Sequence, residues 1–219
     1  MKNIGAEYEN LDQKIYQVIK QMIEDRSLLP GKKIPQEKLA QELGVSRTPL
    51  ISALKFLEHE KLVEVRPRRG FFVRLFSIKE MIGIFEIREV LEGLAARRAA
   101  LCITDKECDS LKQIFKPFED QSTIKNMSAY SKADRKFHTQ ITKIASREFL
   151  TTMLQTFNII SLAYQNVTRE GLIRHPDDTI KDHVAMIEAI CSRDPETAEN
   201  LMRDHFKKAI DILIEQIDA

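Results

Sequence analysis

Residues 37–73 read EKLAQELGVSRTPLISALKFLEHEKLVEVRPRRGFFV. Glu37 to Leu43 predicts a short helix that Gly44 ends. Ser46 is placed to cap the next helix, with Pro49 tolerated in its first turn. Leu50, Leu54 and Leu57 fall on one side of that second helix. Leu62-Val63-Glu64-Val65 and Gly70-Phe71-Phe72-Val73 alternate as short strands, with Arg66-Pro67-Arg68-Arg69 as the tip between them. Two helices across a tight glycine turn, followed by a β-hairpin, make a winged helix-turn-helix. Its second helix opens with short polar and basic groups beside a positive dipole end, which suits phosphates and the major groove. Arg47 reaches guanine or a phosphate, and Thr48 a thymine methyl or a phosphate. Arg68-Arg69-Gly70 suits the backbone or the minor groove. The candidate DNA-contacting set is Lys38, Ser46, Arg47, Thr48, Arg68, Arg69 and Gly70. The competing account of the arginines is that they only solubilise a small domain.

Upstream, Leu11, Ile15, Val18, Ile19, Met22 and Ile23 recur at helical spacing, and Leu28-Leu29-Pro30-Gly31 stops that helix. After Ser77 the chain reads as helix throughout. Ser77 with Glu80 and Thr104 with Glu107 form capping boxes, and Asp194-Pro195 is a helix start. The pattern predicts helices at roughly 78–101, 105–118, 123–145, 147–169, 178–191 and 195–217. The fold class is therefore mainly α: a winged helix-turn-helix over 1–76 and an all-helical bundle of about six helices over 77–219.

Charge divides at the same boundary. Residues 1–76 hold 14 Lys/Arg and 10 Asp/Glu, net +4; residues 77–219 hold 20 and 23, net −3. The front of the chain is the side suited to a polyanion. Three cysteines, an odd number with no CxxC pair, argue against a disulfide-stapled secreted fold and for a reducing cytoplasm. MKNIGAEYEN lacks the apolar run of a signal peptide, and no run of 18 apolar residues offers a membrane span.

The helical half carries metal-type ligands on apolar stripes. Asp134 and His138 share a helix face beside Phe137 and Ile141. His183 precedes Ile187 and Ile190 at helical spacing, and His205 follows Leu201 and Met202. A lone histidine on an apolar face is more often an ordinary core residue. Several helices aiming such residues inward point instead to a divalent metal bound by Asp134, His138, His183 and His205. Imidazole and carboxylate together suit Zn first, with Ni, Mn and Fe as alternatives, and the lack of a thiolate argues against a soft, structural zinc knot. Three neutral imidazoles, one carboxylate and a divalent ion sum to +1, which favours an anion such as a small carboxylate. Arg88 suits its far end bidentately; the alternative is an i,i+4 pair with Glu92.

Two family resemblances rest on these residues. Glu37 to Pro49, continuing to Ala53-Leu54, and Leu62 to Gly70 resemble the signature of GntR-type bacterial transcription regulators over about residues 10–75. Ile51 departs from it: the family usually has Arg there, which contacts the operator in relatives. Lys61 stands where the family often has Gly in the turn before the wing. Ile87 to Ala96, Asp134 to His138, Asp182-His183 and Met202 to His205 resemble the FCD domain of the FadR-like branch over about 78–215, whose matching positions chelate a divalent metal. Departures are Ser146-Arg147, often Gly-Asn, and Asp182, often Glu; neither is expected to touch the four presumed ligands. Six helices rather than seven place the chain nearer the VanR-like subgroup.

Three functions fit. The first is a repressor, a homodimer reading a palindromic operator, whose DNA affinity responds to a small carboxylate held at the metal. The second is a regulator for which the ion itself is the signal. The third is a metallo-hydrolase with a basic appendage, for which His-Glu-x-x-His and Gly-x-Ser-x-Gly motifs are missing. A non-enzymatic regulator is the expectation.

Overall fold

The computed structural model describes residues 4–119, 123–145 and 172–218, with positions 150, 153–154, 156–157 and 160, which are helical. Most of the helix expected over 147–169, and the Ser146-Arg147 position, lie outside the described residues. The chain divides into two compact units, with the boundary between Phe76 and Ser77.

The first unit orders as α1 (Ile4–Glu24), α2 (Gln36–Glu42), α3 (Arg47–His59), β1 (Val63–Arg66) and β2 (Gly70–Val73). Ile15, Ile19 and Ile23 of α1 are buried, as are Leu50, Leu54 and Leu57 of α3. The α1 stripe is narrower than its sequence suggests, because Leu11 and Val18 are exposed. Gly44, at φ +65°, makes the turn between α2 and α3. Ser46 occupies the N-cap of α3 in extended backbone but makes no side-chain capping bond, so its hydroxyl is left at the helix end. β1 and β2 pair antiparallel, Val63 opposite Val73 and Arg66 opposite Gly70. Lys33 adds a bridge to Phe72, so the wing has a third short edge. Lys61 sits at φ +63° in the turn before β1 and Arg68 at φ +60° in the hairpin tip; both turns demand the left-handed conformation glycine adopts most easily.

The second unit contains α4 (Ile78–Cys102), α5 (Asp105–Glu119), α6 (Met127–Ala145), α7 (Pro176–Cys191) and α8 (Pro195–Asp218) among its described residues. Both capping boxes form: the Glu80 amide donates to Ser77 Oγ and the Ser77 amide to Glu80, with the same exchange between Thr104 and Glu107. Asp194 caps α8 through the Thr197 amide at 3.1 Å. Two starts differ from expectation. Helix α6 begins at Met127, because Asn126 accepts the Ala129 amide and caps it there. Helix α7 begins at Pro176, because the His175 side chain accepts the Asp177 amide and Pro takes the first turn. Helix α4 packs most extensively on α8, and also against α6 and α7. The core between them holds Phe85, Phe115, Tyr130, Phe137, Met186 and Phe206.

A Cβ at Gly44 meets nothing within 4 Å, so substitution there is opposed by backbone conformation alone. Gly44→Ala is expected to cost about 1–2 kcal/mol, and Lys61→Gly to stabilise by up to about 1 kcal/mol. Urea unfolding of the two variants beside the parent checks both signs.

Candidate functional site

In the first unit, α3 presents Arg47 and Thr48 exposed at its N-terminus, next to the Ser46 hydroxyl. Arg47 pairs with Glu37 at 3.4 Å and Lys38 with Glu42 at 3.6 Å, all four side chains being exposed; such pairs are worth little and give way to phosphate. Lys33, Gln36, Lys38 and Arg47 line one surface cleft of about 530 Å³. Lys33 and Gln36 were not singled out by sequence, because Lys33 precedes the helix-turn-helix and Gln36 opens α2 one residue before the start the sequence suggests. A Cβ at Gly70 would fall 2.9 Å from the Gln36 amide nitrogen, and Gly70 has φ +94°. Glycine at that position lets the wing close on the α2 end. Arg68 and Arg69 occupy the hairpin tip, exposed.

In the second unit, His138 (α6), His183 (α7) and His205 (α8) are all buried. One nitrogen from each lies within 4.8 Å of the other two. Their ring centroids are 5.6 Å apart for His138 and His183, 5.5 Å for His138 and His205, and 4.8 Å for His183 and His205. Asp134 Oδ1 adjoins two of them, 3.4 Å from His183 Nε2 and 4.0 Å from His138 Nε2.

What orients each ring is a partner on its other nitrogen. His138 Nδ1–H donates to Glu92 Oε2. His183 Nδ1 is 3.0 Å from the Tyr130 hydroxyl, which also bonds Thr179 at 2.7 Å. His205 Nδ1 lies 3.4 Å from Asp182 Oδ2. The Arg174 guanidinium is also 3.4 Å from that nitrogen; since the carboxylate only accepts, the Nδ1 proton faces Asp182. This is the outer-shell arrangement that aims the remaining imidazole nitrogen at a metal. Phe115 stacks on His183 with centroids 4.6 Å apart and planes 10° from parallel.

The charges are sorted with equal care. Glu92 is buried and pairs with Arg88 at 2.7 Å. Burial alone would raise its pKa; Arg88 and then His138 override this and hold it at about 2. Arg88 lies between the Phe85 and Phe206 rings, its guanidinium 5.4 and 4.7 Å from their centroids. Asp182 is held well below the usual carboxylate range, against the effect of its own burial, by His205, Arg174 and Lys208; the Lys208 ammonium is 3.0 Å away. His183 is pushed well below its ordinary value by burial and by the other two histidines. His205 is lowered too, by burial first, with Asp182 opposing. His183 Nε2 is buried and has no hydrogen-bond partner among the described residues. A lone pair of this kind, beside a carboxylate and two more imidazoles, is what a divalent cation satisfies, so these residues fit a metal.

Arg88 takes the Glu92 pairing that its spacing allowed. Glu92, Tyr130, Arg174 and Asp182 are functional neighbours that sequence did not assign to the histidines. The expectation that the Asp182 departure leaves the presumed ligands untouched is corrected: Asp182 faces His205. His59 is exposed at the end of α3 and His175 at the start of α7, both outside the cluster.

A winged helix joined to a helical unit of this kind defines a DNA-binding transcriptional regulator. Residues 11–73 match the bacterial regulatory proteins of the gntR family, and residues 83–208 match the FCD domain. The chain belongs to that family, in the FadR-like branch whose C-terminal half is an FCD domain. It is 24% identical over 200 residues to the HTH-type transcriptional repressor RspR of Escherichia coli, covering 90% of this chain and 86% of the relative. It is 29% identical over 237 residues to the Uxu operon regulator of Haemophilus influenzae, covering 99% and 88%. Among solved structures, E. coli McbR/YncC has the same fold, with a TM-score of 0.73 at 21% identity over 94% of this chain and 98% of that one. No helix among the described residues is long and apolar enough to cross a membrane.

Because His183 resists protonation when folded and binds a proton near pH 6.5 when unfolded, the unfolded state takes up more protons below that pH. Stability of the chelator-treated protein should therefore be fully present above about pH 6.5 and fall as pH is lowered through it. His183→Phe keeps a ring against Phe115 and should flatten that slope. Thermal melts from pH 7.5 to 5 measure it.

Proposed function

We propose that this chain is a homodimeric cytoplasmic repressor whose affinity for a palindromic operator is set by a small carboxylate bound at a divalent metal. Asp134, His138, His183 and His205 are the ligands in this reading. Zn is the first choice, with Ni, Mn and Fe as alternatives. The observation that carries it is the convergence of three buried imidazoles, each tied at Nδ1, with the His183 Nε2 lone pair unpartnered. When bound, the ion supplies positive charge and an open position for an anion.

The chain's own residues do the rest. Glu92, Tyr130 and Asp182 hold the rings in place. Glu92 and Asp182 are each neutralised by a cation of the protein, so Asp134 is the carboxylate whose charge the ion meets. Arg88 is the candidate for the far end of the effector, while it keeps Glu92 in position. In the other unit Lys38, Ser46, Arg47 and Thr48 meet the major groove and its phosphates, and Arg68, Arg69 and Gly70 the backbone or minor groove. The similarity to RspR, a transcriptional repressor, supports the repressor sign. Helix α4 supports the dimer: Ile87, Val90, Leu94 and Leu101 are exposed on it, an apolar row that a two-fold partner would cover. The family favours regulation over hydrolysis.

Elemental analysis of the purified protein and its single variants tests the site. Alanine at Asp134, His138, His183 or His205 should release the ion or loosen it at least tenfold, while His59→Ala and His175→Ala retain it. Metal kept by the His183 and His205 variants, or lost from the His175 variant, overturns the ligand set. Titrating sugar acids and other small carboxylates against operator binding separates the two regulators. If the metal alone switches DNA binding and no acid does, the ion is the signal.

Arg47→Ala should weaken operator binding by about 1–3 kcal/mol with the fold unchanged. Arg68→Ala with Arg69→Ala should weaken specific and non-specific DNA alike and reduce the salt slope of binding; an unaltered slope places the wing clear of the phosphates. Sedimentation at micromolar concentration should return a dimer, and Leu94→Glu a monomer.

A further inference from the structure

Helix α3 buries Pro49, Leu50, Ala53, Leu54 and Leu57. Arg47, Thr48 and Lys55 are exposed, and Ile51 stands half-buried among them. Positions 47, 51 and 55 follow one another at four-residue steps, so they form one row running from the N-terminus along the helix. The row reads cation, branched aliphatic, cation. Its two ends suit phosphates or guanine. Its middle suits neither, because an isoleucine side chain has no donor or acceptor.

The major groove offers one apolar feature to such a group, the C5 methyl of thymine. We propose that Ile51 is a specificity-determining residue that reads a thymine methyl in each operator half-site. Four residues advance the helix by about 6 Å, and base pairs stack about 3.4 Å apart. The thymine therefore lies within about two base pairs of the group that Arg47 meets. This inference rests on the assignment of α3 to the major groove, and it adds a contact that carries sequence information without charge. Arg47 and Lys55 bind more weakly as salt rises; the Ile51 contact does not.

The experiment uses the full-length protein. A random duplex library is selected for binding, and each thymine of the selected site is then replaced in turn by deoxyuridine, which lacks only the methyl. One thymine per half-site should lose about fourfold in affinity, the worth of one buried methyl, by the same factor at low and high salt. Ile51→Ala should bind the thymine and deoxyuridine sites equally, and Ile51→Val should keep the discrimination. The deoxyuridine scan on the unmodified protein stands on its own if Ile51→Ala folds poorly. A site that is enriched but indifferent to every deoxyuridine replacement overturns the inference, as does a penalty that persists in a folded Ile51→Ala. A library from which nothing is enriched overturns the DNA-reading role of α3 itself.

Discussion

The helical unit is organised around the desolvation of three imidazoles. Burying a nitrogen lone pair without a partner is costly, and His138, His183 and His205 are buried together. Each ring is fixed at Nδ1 by a group from another helix: Glu92 on α4, Tyr130 on α6, Asp182 on α7. Four helices are thereby pinned to one point. A polar site of this kind is either completed or it destabilises the core around it. In the proposed reading a cation completes it, and metal occupancy would then be linked to the stability of the whole unit.

The ring of charges outside the histidines is balanced in place. Glu92 answers Arg88, and Asp182 answers Arg174 and Lys208. Removing one member of the buried Arg88–Glu92 pair would leave the other charge uncompensated, which typically costs about 3–5 kcal/mol. The aromatic walls work to the same end: Phe85 and Phe206 flank Arg88 and exclude water from its pair with Glu92. Asp134, half-buried and without a lysine or arginine partner among the described residues, is left as the carboxylate beside the histidines that no such cation answers.

Much of this was legible in the sequence wherever cause and effect are near neighbours. Gly44, Ser46 and the leucines at 50, 54 and 57 announce the helix-turn-helix, and Ser77 with Glu80 announces a capping box, because those interactions span a few residues. The histidines were legible one at a time, as polar residues on apolar stripes. Their partners were not. Glu92 reads as the i+4 mate of Arg88, and nothing local reveals that its second oxygen meets His138, 46 residues away. Asp182 reads as a neighbour of His183, yet it serves His205. Lys61 and Arg68 were legible as turn residues but not as left-handed ones, since neither is glycine. The α6 and α7 starts moved because Asn126 and His175 act as caps, roles those side chains fill only in the right backbone context.

Helix α4 joins the two ends of the proposed mechanism. Its inward side carries Arg88 and Glu92, the latter in contact with His138; its outward side carries Ile87, Val90, Leu94 and Leu101. These sets interleave along the same turns, so a rotation of α4 that re-aims Arg88 toward an effector also re-aims the outward row. An effector shifts an equilibrium only by its differential affinity for two states, and typical couplings are about 1–3 kcal/mol. One charge-assisted bond gained or lost at Arg88 is of that order, about 1.5–3 kcal/mol. The i,i+4 pair with Glu92 is therefore more than helix support. While Arg88 holds Glu92, His138 keeps its tautomer; in the proposed mechanism a carboxylate that competes for Arg88 would act on the proposed ligand His138 and on the helix bearing the proposed dimer face together.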